Sequence, residues 1–193
     1  MELLKELRDL TGAGMMDIKA ALDEAGNDKE KAIEILRKKG QSKMLKKADR
    51  VANEGIIESY IHAGGKVGVL LELNTETDFV ARTDDFKDLA KELALHIAAA
   101  NPLFVNTTDV SSEVIEKERE IYKEQAKDSG KPAEVVEKMI EGKLNKYFEE
   151  TCLMEQPYIK EPEKKIKDFI AEKAAKLGEN VVVRRFTRYH LGN

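Results

Sequence analysis

Few side chains in this sequence stand at spacings that could carry out covalent chemistry. The three histidines, His62, His96 and His190, are isolated from one another, and the single cysteine, Cys152, has no cysteine neighbour at ligand spacing, so no metal set can be assembled from motifs. The run Gly64-Gly65-Lys66-Val67-Gly68 raises the question of a phosphate loop. It matches neither Gly-x-x-x-x-Gly-Lys-Ser/Thr nor Gly-x-Gly-x-x-Gly, and a strand rather than a helix follows it. No nucleophile–base pair can be assigned to a reaction, which points away from an enzyme and from any cofactor. What remains is the segment Asn74–Arg82, NTETDFVAR. Ahead of it Val67-Gly68-Val69-Leu70-Leu71-Glu72-Leu73 alternates like a strand, and behind it Phe86, Leu89, Ala90, Leu93 and Ile97 recur at helical spacing. Asp78 and Phe79 therefore sit where a strand gives way to a helix, a place from which a side chain can be held rigidly towards a partner. The competing reading makes Phe79 a core residue at one end of the sheet, since phenylalanine is usually buried.

The elements that must position this segment can be read in chain order. Leu3, Leu4, Leu7 and Leu10 predict a helix broken at Thr11-Gly12-Ala13-Gly14, and Met15, Met16, Ile18, Ala21 and Leu22 predict a second, ended by Gly26. Asn27 or Asp28 caps a third, whose apolar face is Ala32, Ile33, Ile35 and Leu36 and which Gly40 is expected to stop. Met15 and Met16 are either core or an adaptable docking surface. Residues 41–54 predict a basic connecting helix; the charge run around it is either a solvated face or a patch for an acidic partner. Ile56–Ile61 and Val67–Leu73 flank Gly64-Gly65 as an antiparallel hairpin. A helix over residues 84–100 carries His96 among Leu93, Ile97 and Ala100, where a lone histidine reads as structural. Residues 112–128 and 132–151 predict two charged helices with narrow apolar stripes, joined by Asp128-Ser129-Gly130-Lys131-Pro132 and folded back as an antiparallel hairpin projecting into solvent. Glu163–Leu177 predicts a last helix, and Val181–Tyr189 a strand that joins the hairpin. The fold class is α+β: a small antiparallel sheet covered by helices. Three regions follow: a helical module over residues 1–40, a linker over 41–54, and a core over 55–193 that includes the helical hairpin 112–151.

With 33 Lys and Arg against 37 Asp and Glu, the formal net charge is -4, which argues against a dedicated nucleic-acid binder. No apolar run approaches the roughly 20 residues of a membrane helix, the start has no signal-peptide character, and a lone cysteine fits a reducing compartment. A cytoplasmic protein is expected.

Several stretches together resemble the elongation factor Ts family, the bacterial guanine-nucleotide exchange factors for elongation factor Tu. They are Thr11-Gly12-Ala13-Gly14-Met15-Met16-Asp17, Thr77-Asp78-Phe79-Val80-Ala81-Arg82, His96-Ile97-Ala98 and Glu155-Gln156-Pro157, in order across nearly the whole chain. The resemblance implies a ubiquitin-associated-like module in residues 1–40 and a magnesium-displacing role for Thr77, Asp78, Phe79 and Val80. It also implies contact with elongation factor Tu through Arg8, Met15, Met16 and His96. It turns the expectation for Phe79 and the methionines from buried to exposed. The single hairpin is similar to the family's short members, which implies a homodimer, and an open sheet edge would otherwise be a liability. A helical adaptor or nucleic-acid-binding protein using the 1–50 region is the alternative, distinguishable by steeply salt-dependent binding to RNA.

Overall fold

The computed structural model describes residues 2–45, 49–127 and 132–192, and the chain divides into two compact units. The first comprises residues up to Leu95 together with Lys167 onward. It opens with α1 (Glu2–Thr11), α2 (Met15–Glu24) and α3 (Lys29–Leu45). Leu7, Ile18, Ala21, Leu22, Ala32 and Leu36 form their common core, with Leu3, Leu4, Ile33 and Ile35 packed around it. The Asp28 carboxylate accepts from the Lys31 amide at 3.1 Å, the side-chain cap that starts α3.

Gly40 does not stop α3, which continues through it to Leu45. Glycine inside a helix costs about 1 kcal/mol relative to alanine. Here the missing Cβ has a use, because one built at Gly40 would stand only 3.2 Å from the Ala175 Cβ. Of the connecting helix expected over 41–54, residues 41–45 continue α3, and residues 51–53 are irregular. Residues 46–48, in the middle of the basic run, lie outside the described residues, as do Asp128–Lys131 between the two charged helices.

The sheet of this unit has the order β1-β2-β5, antiparallel throughout, with β1 (Glu54–Ile61), β2 (Val67–Thr75) and β5 (Val181–His190). A bulge between Glu72 and Leu73 leaves Arg184 as the extra residue of β5. Alternation gives the sheet two unlike faces. Val69, Leu71, Leu73, Val181 and Val183 are buried on one. The helices of this unit carry matching buried stripes: Phe86, Leu89, Ala90 and Leu93 on α5 (Asp84–Ala100), and Phe169, Ile170 and Ala174 on α8 (Ile166–Leu177). On the other face Ile57, Ile61, Leu70, Val182 and Tyr189 are exposed.

The second unit, His96–Ile166, holds α6 (Ser112–Ala126) and α7 (Ala133–Thr151) as the helical hairpin. The buried apolar residues of α6 and α7 are few among the described residues, Ala126, Ile140 and Leu144, so polar links share the work of joining the helices. Arg119 pairs with Glu137 at 2.7 Å, and the Lys143 ammonium lies 5.4 Å from the Tyr122 ring centroid. Glu163 does not begin the last helix. Glu161–Lys165 is strand β4, paired with β3 (Pro157–Tyr158), and α8 starts at Ile166. Pairing of Lys165 with Pro157 and of Glu161 with Tyr158 keeps this stretch extended up to Ile166.

Candidate functional site

The segment singled out by the sequence is a tight connection between β2 and α5. Thr77 adopts extended backbone and caps α4 (Asp78–Ala81), its Oγ1 accepting from the Val80 amide at 3.4 Å. Thr83 then donates from Oγ1 to the Val80 carbonyl at 2.7 Å and accepts from the Phe86 amide at 3.3 Å, which starts α5. Two caps six residues apart in one short turn leave little freedom to the residues between them. Val80 and Ala81 point inward and are buried, while Phe79 is 78% exposed. Asp78 is exposed too and pairs with Arg82 at 2.6 Å, an ion pair at the surface that is weak enough to change partners.

A residue outside the motif holds this turn from the other side. Glu179 follows α8, and its Oε2 accepts from the Thr77 amide at 3.0 Å and from Thr75 Oγ1 at 2.9 Å, while Oε1 accepts from Thr77 Oγ1 at 2.7 Å. Next to it the Asn180 amide donates to Glu76 Oε1 at 2.7 Å, and Asn180 Nδ2 donates to the Arg50 carbonyl at 2.9 Å. Gly178, at φ +79, lets the chain leave α8 in the left-handed conformation that brings Glu179 round. Sequence spacing sees only a helix stop here, because the partners of Glu179 lie more than a hundred positions away. Glu179→Ala is expected to lower stability by about 1–3 kcal/mol, since it strands the buried Thr75 hydroxyl and the Thr77 amide. Urea unfolding measures the loss, and amide hydrogen exchange should speed up at Thr77 and Val80 before other sites.

In the helical module, Arg8 is exposed near the end of α1, and its carbonyl accepts from the Gly12 amide at 2.8 Å. Met16 is 78% exposed and Met15 38%, at the start of α2, while Ile18 turns into the core of the module. The exposed methionines are therefore surface and not packing.

His96 has the opposite character. It is fully buried in the second unit, where its Nε2 donates to Gln156 Oε1 at 3.0 Å and its Nδ1 accepts from the Ile159 amide at 3.4 Å. Gln156 Nε2 in turn donates to the Glu150 carbonyl at 2.8 Å. The structure thus joins two stretches read separately, His96-Ile97-Ala98 and Glu155-Gln156-Pro157. Burial lowers the His96 pKa below 6.5, with the Gln156 hydrogen bond opposing it. The unfolded chain then takes up a proton at this site at a higher pH than the folded chain does, so stability falls as pH drops through about 6.5. His96→Gln is expected to remove that part of the decline in urea midpoint between about pH 7 and 5.5.

A family model described as elongation factor TS matches residues 15–193. Among curated relatives named elongation factor Ts, that of Carboxydothermus hydrogenoformans is 60% identical over 191 residues, covering 99% of this chain and 88% of the relative. That of Thermotoga petrophila is 60% identical over 192 residues, covering 100% and 96%, and that of Thermodesulfovibrio yellowstonii is 60% identical over 191, covering 99% and 95%. The chain belongs to the elongation factor Ts family.

Membership makes it a translation elongation factor. The residues that the family motifs single out divide in two. Thr77, Asp78, Phe79, Arg8, Met15 and Met16 reach the surface, as contact with a partner requires. Val80 and His96 do not: Val80 anchors its turn, and His96 braces the segment Gln156–Ile159 from within. The His96 ring has no exposed surface of its own, and its partners are Gln156 and the Ile159 amide. The one cysteine, Cys152, is buried, and burial pushes its thiol pKa up, away from a reactive thiolate. Among the described residues no group of His, Cys, Asp and Glu gathers to hold a metal ion, and no helix is long and apolar enough to cross a membrane.

Proposed function

We propose that this elongation factor Ts family member promotes release of GDP from elongation factor Tu, with Phe79 as the element that disturbs the nucleotide site. The observation that carries this is an exposed phenylalanine on a turn fixed by two caps and a three-bonded carboxylate. A ring of that kind leaves about 2–3 kcal/mol of burial free energy unrealised in the free protein, which becomes available when it inserts into a partner. A GTPase holds GDP by a backbone phosphate cradle and a Mg²⁺ ion on the phosphates. A protein that binds the nucleotide-free state more tightly than the GDP state must weaken GDP by the same factor. In this scheme Phe79 wedges between helices of the nucleotide domain. Asp78, freed from Arg82, acts near the metal through hydrogen bonds or charge, and Thr77 and Val80 keep the turn in shape. Arg8, Met15 and Met16 supply affinity. No bond of the substrate is made or broken, so the chain acts as an exchange factor and not as an enzyme, in the cytoplasm where translation occurs.

Labelled GDP bound to elongation factor Tu tests this directly. The chain should speed its release in a dose-dependent manner, and it should not bind RNA with the steep salt dependence of a nucleic-acid binder. No acceleration at a concentration that saturates complex formation would dismiss the reading.

The same proposal includes a helical module over residues 1–40, a linker over 41–54, a core over 55–193, and a homodimer. The uncovered sheet face with Ile57, Ile61, Leu70, Val182 and Tyr189 supports pairing, because five apolar side chains on one face favour a second apolar surface. Sedimentation at micromolar concentration should give twice the 21.7 kDa chain mass, and Ile57→Lys with Leu70→Lys should return the single-chain mass with the fold intact. A native protein that sediments as one chain removes the dimer from the proposal.

A further inference from the structure

Lys176, one residue before the end of α8, touches two elements that the exchange reading needs. On one side its stem lies beneath the Thr11–Gly14 turn that leads into Met15. A Cβ built on Gly12 would stand 2.8 Å from the Lys176 Cγ and 3.0 Å from its Cα, so the turn closes onto α8 as far as a glycine permits. Gly12 itself holds φ +65, which disfavours any other residue there. The seam continues along α8, with Gly40 against Ala175 and an Arg37–Glu172 ion pair at 3.2 Å. It is incompletely filled: a cavity of about 390 Å³ lies between Ile33, Leu36, Asp17 and Lys173.

On the other side the Lys176 ammonium reaches Asp85, at 2.9 Å from Oδ2 and 3.1 Å from Oδ1. Asp85 is in the first turn of α5, directly after the Phe79 turn. Three residues after Lys176, Glu179 grips Thr77. One short segment at the end of α8 therefore bears on both the loop with Met15 and Met16 and the turn with Phe79.

We propose that Lys176 is a positioning residue that sets the methionine loop in register with the Phe79 turn, so that both engage one partner together. This rests on the exchange reading above. Two contacts held in the right geometry reinforce each other as an intramolecular event, an advantage that vanishes when their mutual orientation is loose. The seam is only partly packed, so the ion pair and the stem have an orienting role that a filled apolar interface would make redundant. Both partners of the pair are substantially exposed, at 40% and 57%, so their contribution is to orientation more than to overall stability.

Two measurements on the full chain test this. Spin labels at Asp23→Cys and Lys87→Cys, with Cys152 replaced by serine, report the distance between module and core. Lys176→Ala should broaden that distance distribution, Asp85→Asn should broaden it from the other end of the pair, and Lys176→Arg should leave it narrow. In labelled-GDP release, Lys176→Ala should raise the concentration for half-maximal stimulation about fivefold or more, with the maximal rate retained. An unchanged distance distribution, or a lowered maximal rate at an unchanged half-maximal concentration, overturns the proposal. Should the native protein fail to release GDP at all, the exchange reading fails, and the label distances still decide whether Lys176 holds the module. A melting temperature equal to the native value shows that the variants are folded; if Lys176→Ala melts early, Asp85→Asn supplies the decisive comparison.

Discussion

Phe79→Ala is expected to keep the melting temperature of the native chain and to lose most of its stimulation of GDP release. Truncating a buried phenylalanine costs about 3–5 kcal/mol, but this ring is 78% exposed, and surface changes of this kind stay within roughly 0.5 kcal/mol. The turn itself does not depend on the ring. Its caps are Thr77 and Thr83, its anchor is Val80, and its outside brace is Glu179. Stability and stimulation should therefore separate in this variant. Lowering free Mg²⁺ should narrow the gap between variant and native protein, because loss of the metal accomplishes part of the same task. Thermal unfolding and labelled-GDP release at two Mg²⁺ concentrations are sufficient. A variant that melts much earlier, yet stimulates normally while folded, would assign Phe79 to the core and place the active element elsewhere.

Gly55→Ala is expected to be the more damaging change to the fold, at about 2–5 kcal/mol, although it adds one methyl group. Gly55 pairs with Asn74 in β1–β2 and holds φ +151, outside the range that side-chain-bearing residues readily adopt. A Cβ there would lie 2.2 Å from the Leu73 carbonyl oxygen and 2.8 Å from the Asn74 Cα. Both are backbone atoms of the central strand, so relief requires moving β2 and cannot come from a side-chain rotation. Because β2 leads directly into the Phe79 turn, Gly55→Ala should lower the urea midpoint and reduce stimulation together, in contrast to Phe79→Ala. At Gly64 or Gly65, where a Cβ would meet nothing within 4 Å, the cost should be smaller and confined to the positive φ. An urea midpoint for Gly55→Ala equal to that of Gly64→Ala would show that β1 and β2 can separate locally without penalty.

Periodicity and punctuation determined most of the elements. Alternation over Val67–Leu73 and helical spacing over Phe86–Ile97 are local properties, and β2 and α5 lie where those patterns place them. The same holds for the paired helices α6 and α7, whereas of the two candidate caps of α3, Asn27 and Asp28, the structure selects Asp28. Local pattern failed at Gly40 and at Glu163. Gly40 ends a helix by propensity, yet close approach to Ala175 gives the missing side chain a tertiary reason. The residues from Glu163 carry a helical pattern, yet pairing with Pro157–Tyr158 holds them extended as far as Lys165.

For the proposed contact residues, motif and spacing singled out Thr77–Arg82 and Met15–Met16, and family resemblance turned the expectation for Phe79 from buried to exposed, which is where the structure places it. Hydrophobicity by itself does not decide that, since a phenylalanine at a strand–helix junction can turn either way. The fold decides it by committing the inward position of the turn to Val80. It also decides that His96 is a buried brace, because its partners, Gln156 and Ile159, are about sixty positions away. Glu179 and Lys176 have no local signature at all. A carboxylate after a helix and a lysine within one are ordinary surface residues in sequence, and only the packing of α8 beside the Phe79 turn and the Gly12 turn gives them partners to hold.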